Sequence, residues 1–146
     1  MKSGCSPQVP LRSYLALASA IASIVLSGCA VLSPKTPEQR VTERAQLWMD
    51  AMIAMDYDTA WELVSPGYRS QWAIGNYRAR YRGAAWWLEG EMGSVECDRN
   101  ADEAGPTECT AILYITYDAP MVNMTNRRTF TTRWLKSSGD WYKFER

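Results

Sequence analysis

Glu108-Cys109-Thr110-Ala111-Ile112-Leu113-Tyr114-Ile115-Thr116-Tyr117 is the stretch on which the fold turns. Threonine, isoleucine and tyrosine suit a pleated, half-buried surface, so the run reads as a strand. Side chains alternate along a strand, which puts Cys109, Ala111, Leu113 and Ile115 on one face and Ile112 and Tyr114 on the other. Downstream, residues 127–136 read as a second partner strand. Phe130 and Trp134 share one of its faces and Leu135 takes the opposite one. Ser137-Ser138-Gly139-Asp140 is a tight turn, and residues 141–144 close the hairpin. Upstream, residues 84–97 form one more strand, bent or bulged where Gly90 and Gly93 interrupt it. Residues 98–106 and 118–126 are polar and read as loops.

Before this block the periodicity is helical. Thr36-Pro37-Glu38-Gln39 carries a capping threonine, a first-turn proline and a glutamine able to close a capping box. Val41, Ala45, Trp48, Met52 and Met55 then recur every three or four residues, one apolar face of a helix that ends near Asp56. Asp58 is placed to cap a short second helix over residues 59–64, stopped by Ser65-Pro66-Gly67. A third helix is expected over residues 68–81, weakened by Gly75. Helices first and an antiparallel meander of about four strands afterwards define an α+β class.

The first 28 residues read differently. Lys2 and Arg12 are the only charges before Lys35, and an uncharged stretch rich in Leu, Ala, Ile and Ser follows them. A basic start with an apolar segment is the pattern of an export signal. It closes with Leu26-Ser27-Gly28-Cys29, which resembles the lipobox of bacterial lipoproteins. The resemblance implies cleavage before Cys29, acylation of its thiol and an N-terminal lipid anchor in a membrane. Ala30 after that cysteine, rather than aspartate, favours the outer membrane and a periplasm-facing domain by the same resemblance. Residues 29–36 would be a short tether of about 25 Å at full extension, and residues 37–146 the single domain. An uncleaved membrane span is the competing reading, which the alanine, serine and glycine content disfavours.

Composition narrows the chemistry. Without Lys2 and Arg12 the net charge is −2, and no basic stripe suggests nucleic acid. Of four cysteines, Cys5 falls in the leader and Cys29 takes the lipid, so Cys97 and Cys109 form the one intrachain pairing left in an oxidising compartment. Such a bridge would add roughly 3 kcal/mol in the chain-entropy account. Histidine is absent and two lone thiols are too few for zinc, so no metal or cofactor is expected.

Met55-Asp56-Tyr57-Asp58-Thr59-Ala60-Trp61-Glu62-Leu63-Val64-Ser65-Pro66, together with the ending Leu135-Lys136 through Gly139-Asp140-Trp141-Tyr142, is similar to NTF2-like domains. The resemblance spans residues 37–146. It implies a cone in which the helices lie in the hollow of a strongly bent sheet. It also implies that the outer sheet face can form a homodimer, an option consistent with apolar residues on both faces. Its motifs are structural and say little about activity.

Enzymes of that family commonly use an aspartate with a histidine or tyrosine in the cone. Here the near-neutral proton carrier is missing. Asp50, Asp56, Asp58 and Glu62 would serve only if burial raised their pKa. Each reads more simply as a cap or a solvated side chain, so no catalytic residue is assigned. Trp48, Met52, Trp61, Trp86, Trp87 and Trp134 are the candidates for a pocket or interface. Adjacent Trp86 and Trp87 on a strand would face opposite sides. Arg78, Arg80 and Arg82 could touch anionic headgroups, though a solvated helix end explains them as well. The expected function is a non-enzymatic binding or accessory module of the cell envelope, with an envelope protein as a possible partner. The alternatives are a cyclase, isomerase or dehydratase with a buried carboxylate, and a component of an envelope secretion or conjugation assembly.

Overall fold

A computed structural model describes residues 34–98, 105–119, 121 and 123–146. The expected leader, the expected lipidation site Cys29 and most of the expected tether lie outside the described residues. The domain is α+β, with helices α1 (Pro37–Ile53), α2 (Tyr57–Glu62), α3 (Pro66–Gln71) and α4 (Ile74–Arg80), then a short 3-10 turn (Arg82–Trp86). Strands β1 (Trp87–Cys97), β2 (Glu108–Ala119), β3 (Met124–Ser137) and β4 (Asp140–Lys143) follow as an antiparallel sheet in sequence order. Among the described residues no helix is long and apolar enough to cross a membrane.

The expected capping box starts α1. Thr36 Oγ1 accepts from the Gln39 amide at 3.2 Å, and the Gln39 side chain accepts from the Thr36 amide at 3.0 Å. Val41, Ala45, Trp48, Met49 and Met52 are then fully buried against the sheet. Met55, expected on the same stripe, is not there. α1 stops at Ile53, Met55 takes a left-handed φ of 58° and its side chain is half exposed. The Asp56 amide donates to Ala51 O at 2.8 Å and the Met55 amide to Met52 O at 3.2 Å, a Schellman ending that turns the chain into α2. Asp56, not Asp58, caps α2: its carboxylate accepts from the Thr59 amide and hydroxyl. Asp58 instead meets Arg78 at 3.0 Å.

The third helix is two helices. Trp72 is extended (φ −125°, ψ 145°), which separates α3 from α4, while Gly75 sits inside α4 without breaking it. The first strand starts at Trp87, three residues later than expected, because residues 82–86 form the 3-10 turn. Trp86 and Trp87 are therefore not neighbours on one strand.

β2 follows the alternation read from its sequence. Cys109, Ala111, Leu113 and Ile115 are all buried on the inner face, where they meet α1. β1 shows register irregularities at Trp87/Glu89 and at Met92/Val95, the second enclosing Gly93. Gly90 serves a different purpose: a Cβ there would lie 2.4 Å from Met49 Sδ, so its missing side chain lets α1 approach the sheet. β2 and β3 both run longer than expected, to Ala119 and from Met124. The β3–β4 turn has Ser138 at φ 51° and Gly139 at φ 88°, as a two-residue hairpin of type I′ requires. On its other side β4 is covered, since the Lys143 amide donates to Leu63 O and the Ser65 amide to Lys143 O. Cys97 and Cys109 are register partners at one end of the sheet, with their sulfurs at bonding distance.

The outer face of the sheet carries Ile112, Tyr114 and Leu135, the apolar residues behind the dimer expectation, together with polar side chains. Ile112, Tyr114 and Leu135 are half-buried among threonines and ion pairs. Arg127 joins Glu91 at 2.6 Å and lies over the Tyr114 ring, and Arg133 grips Glu108 through two bonds of 2.7 and 2.9 Å.

Candidate functional site

Three segments far apart in sequence build one cleft. The end of α4 with the 3-10 turn, the last residues of β2 and the first half of β3 enclose about 470 Å³. This is within the range of small-ligand sites. Tyr81, Trp86, Trp87, Tyr117 and Phe130 provide aromatic walls, and buried Ala84 also lines it. Trp87 packs tilted on Phe130 with ring centroids 5.2 Å apart, and edge-on to Trp48 at 6.1 Å, so this wall is braced by the core. Trp86 is half exposed at the cleft.

Three charged side chains also line it: Arg80, Asp118 and Arg128. Arg80 is held by the Arg146 carbonyl and lies 3.9 Å from the Glu145 carboxylate. Asp118 accepts from the Thr125 hydroxyl at 3.2 Å. Arg128 lies over the Phe130 ring at 5.7 Å and has no ion-pair partner among the described residues.

Behind the cleft lies a cluster that the sequence reading missed. Lys143 and Glu145 are both buried, joined to each other, and each bonded to the Tyr81 hydroxyl. Lys143 Nζ donates to that hydroxyl at 2.8 Å, and the hydroxyl donates to Glu145 Oε1 at 2.7 Å. The ammonium also sits 4.6 Å from the centroid of the Trp48 ring. Burial lowers the pKa of Lys143 from the usual lysine value, with Glu145 opposing the shift. Burial, reinforced by the Glu145 charge, pushes the Tyr81 phenol well above the usual value and keeps it protonated. Burial does the same for Tyr77, whose hydroxyl accepts from Trp48 Nε1 at 2.7 Å. The Lys143 amine, the Tyr81 hydroxyl and Glu145 Oε1 are bonded to one another, so the cluster ties the end of α4 to the end of β4.

The six pocket candidates divide. Trp86 and Trp87 do line the cleft. Trp48, Met52 and Trp134 do not: all three are core, at 1%, 0% and 0% exposure. Trp48 binds Tyr77, Met52 Sδ accepts from the Tyr77 hydroxyl at 3.6 Å, and Trp134 Nε1 donates to the Thr132 hydroxyl at 3.0 Å. Trp61 is half-buried between Tyr68 and Tyr77, away from the cleft. The candidate carboxylates are in solvent. Asp50 accepts from Gln46, Asp56 is a cap held below the usual carboxylate range by the Thr59 hydroxyl, and Asp58 and Glu62 pair with Arg78 and Arg69. A buried-carboxylate mechanism built on them has no support here. Among the described residues no group of three metal-ligating side chains converges.

No protein-family model and no curated protein matches the chain. Solved structures do share its architecture. A SEC-C motif containing protein from Rhodopseudomonas palustris superposes with a TM-score of 0.51 at 17% identity, over 75% of this chain and 76% of that one. A second, from Psychrobacter arcticus, gives a TM-score of 0.56 at 9% identity, over 77% of this chain and 63% of that one. At such identities the likeness is one of fold: an α+β domain with a four-stranded antiparallel sheet.

Proposed function

We propose that this chain is a membrane-tethered bacterial lipoprotein whose domain, NTF2-like in plan, acts as a non-enzymatic binding module of the cell envelope. The tether rests on the leader ending in Leu26-Ser27-Gly28-Cys29. The observation that carries the binding role is the aromatic cleft of about 470 Å³. It is lined by rings and three charged side chains, and among the described residues its lining holds no cysteine and no buried free carboxylate, in a chain without histidine. Such a lining can hold a ligand and gives little means of moving a proton at neutral pH.

Two measurements test this. Intact mass spectrometry and membrane fractionation of wild type and Cys29→Ser should show an acylated, membrane-bound protein and an unacylated, uncleaved variant. Identical mass change and fractionation for the two would sink the lipoprotein reading. Crosslinking followed by pull-down should recover a ligand or envelope partner in wild type and lose it in Trp86→Ala.

A further inference from the structure

We infer that the cleft selects a flat apolar molecule bearing a carboxylate, an aromatic acid, with Arg128 as its anion anchor. The inference rests on the binding-module reading above and deepens it.

The walls set the shape. Trp87 and Phe130 are locked by their mutual contact and by Trp48 beneath, so the surface they present is rigid. A rigid aromatic wall rewards a flat apolar body, because little conformational freedom is lost on binding. The charges set the polarity. Arg80 is committed to the chain end through the Arg146 carbonyl and Glu145. Asp118 is turned to Thr125. That leaves the exposed Arg128 guanidinium, stationed over Phe130, with no ion-pair partner among the described residues. With Arg80 beside it, the cleft carries two positive charges against one negative. A planar fork of donors next to an aromatic face suits a planar carboxylate joined to a ring. A cationic ligand would meet the Arg128 guanidinium, and an uncharged one would gain nothing from its charge.

The test is calorimetry on the full chain in lipid nanodiscs, with empty discs as blank, using indoleacetate and its uncharged isostere indoleacetamide. The expected result is that the acid binds at least about tenfold tighter than the amide, the usual worth of a hydrogen bond to a charged group. Arg128→Gln should erase that difference, with the acid losing more affinity than the amide. Trp86→Ala should weaken both ligands alike. Equal binding of acid and amide by wild type overturns the inference and leaves the binding module standing. A loss of both ligands in Arg128→Gln overturns it too, since that marks a structural role. Binding of neither ligand by wild type removes the cleft reading itself.

Discussion

Lys143 and Glu145 stand two positions apart at the end of β4 and are buried against each other beneath the Tyr81 ring. Their side chains are 5% and 3% exposed, so the pair is sealed from water. Removing one charge strands the other in a low-dielectric site, which typically costs about 3–5 kcal/mol, whereas removing both need not. Glu145→Gln should therefore lower unfolding free energy by about that amount in urea titrations. The double variant Lys143→Met with Glu145→Leu should recover most of the loss. Additive losses would show that the two residues act independently.

The same amine makes stability depend on pH. Burial depresses the Lys143 pKa below its ordinary 10.5. The unfolded chain then binds more proton than the folded one between the lowered value and 10.5, so this contribution rises with pH across that window. It is lost as pH falls through the folded value. The phenols of Tyr77 and Tyr81, shifted upward from 10.0, act in the opposite sense only above that pH. Between neutrality and pH 10.0 the stability of wild type relative to Lys143→Met should increase with pH. A flat difference would place the amine in water.

Much of this cluster was written in the sequence in a form that local rules read only in part. Alternation found the inner face of β2, and turn chemistry found Ser138-Gly139, because both depend on adjacent residues. The same alternation carried past Trp141 puts Lys143 and Glu145 on the buried face, although residue type alone argues for solvent. The split between α3 and α4 falls at Trp72-Ala73, where neither glycine nor proline marks it, so tertiary packing decides it. The cleft was half legible. Trp86 and Trp87 are adjacent in the sequence, but Tyr117, Arg128 and Phe130 join them only through the β1–β2–β3 register.

Met55 ends α1 in a left-handed conformation that a β-carbon disfavours. Its side chain is half exposed. Met55→Gly should raise stability by about 0.5–1 kcal/mol, the strain relieved at a Schellman C′ position less the added freedom of the unfolded chain. Thermal unfolding at fixed pH would show it, and a lower melting temperature would contradict the strain argument.

Gly90 faces the fully buried Met49 at a distance that no side chain could share. Gly90→Ala should push α1 off β1 or force Met49 from its rotamer, costing about 1–3 kcal/mol. Met49→Ala by itself should also destabilise, by about 2–5 kcal/mol for the cavity it leaves. Combined, the two changes should cost less than their sum, because the new methyl enters the space that Met49 vacates. A strictly additive double variant would mean that the two sites do not touch.

Trp134 and Trp86 should separate stability from binding. Trp134 is fully buried on β3, and its indole donates to Thr132, itself bonded to the Ala111 carbonyl. Trp134→Ala removes a large core side chain and one hydrogen-bond partner, a loss of about 3–5 kcal/mol. Trp86 is half exposed at the cleft, and its removal leaves the Trp87–Phe130–Trp48 stack in place. Trp86→Ala should lower unfolding free energy by only about 1 kcal/mol, in keeping with its half burial. Denaturation curves for the two variants would then differ by several kcal/mol, although each deletes the same indole. Comparable losses would place Trp86 in the core and close the cleft that the binding proposal requires.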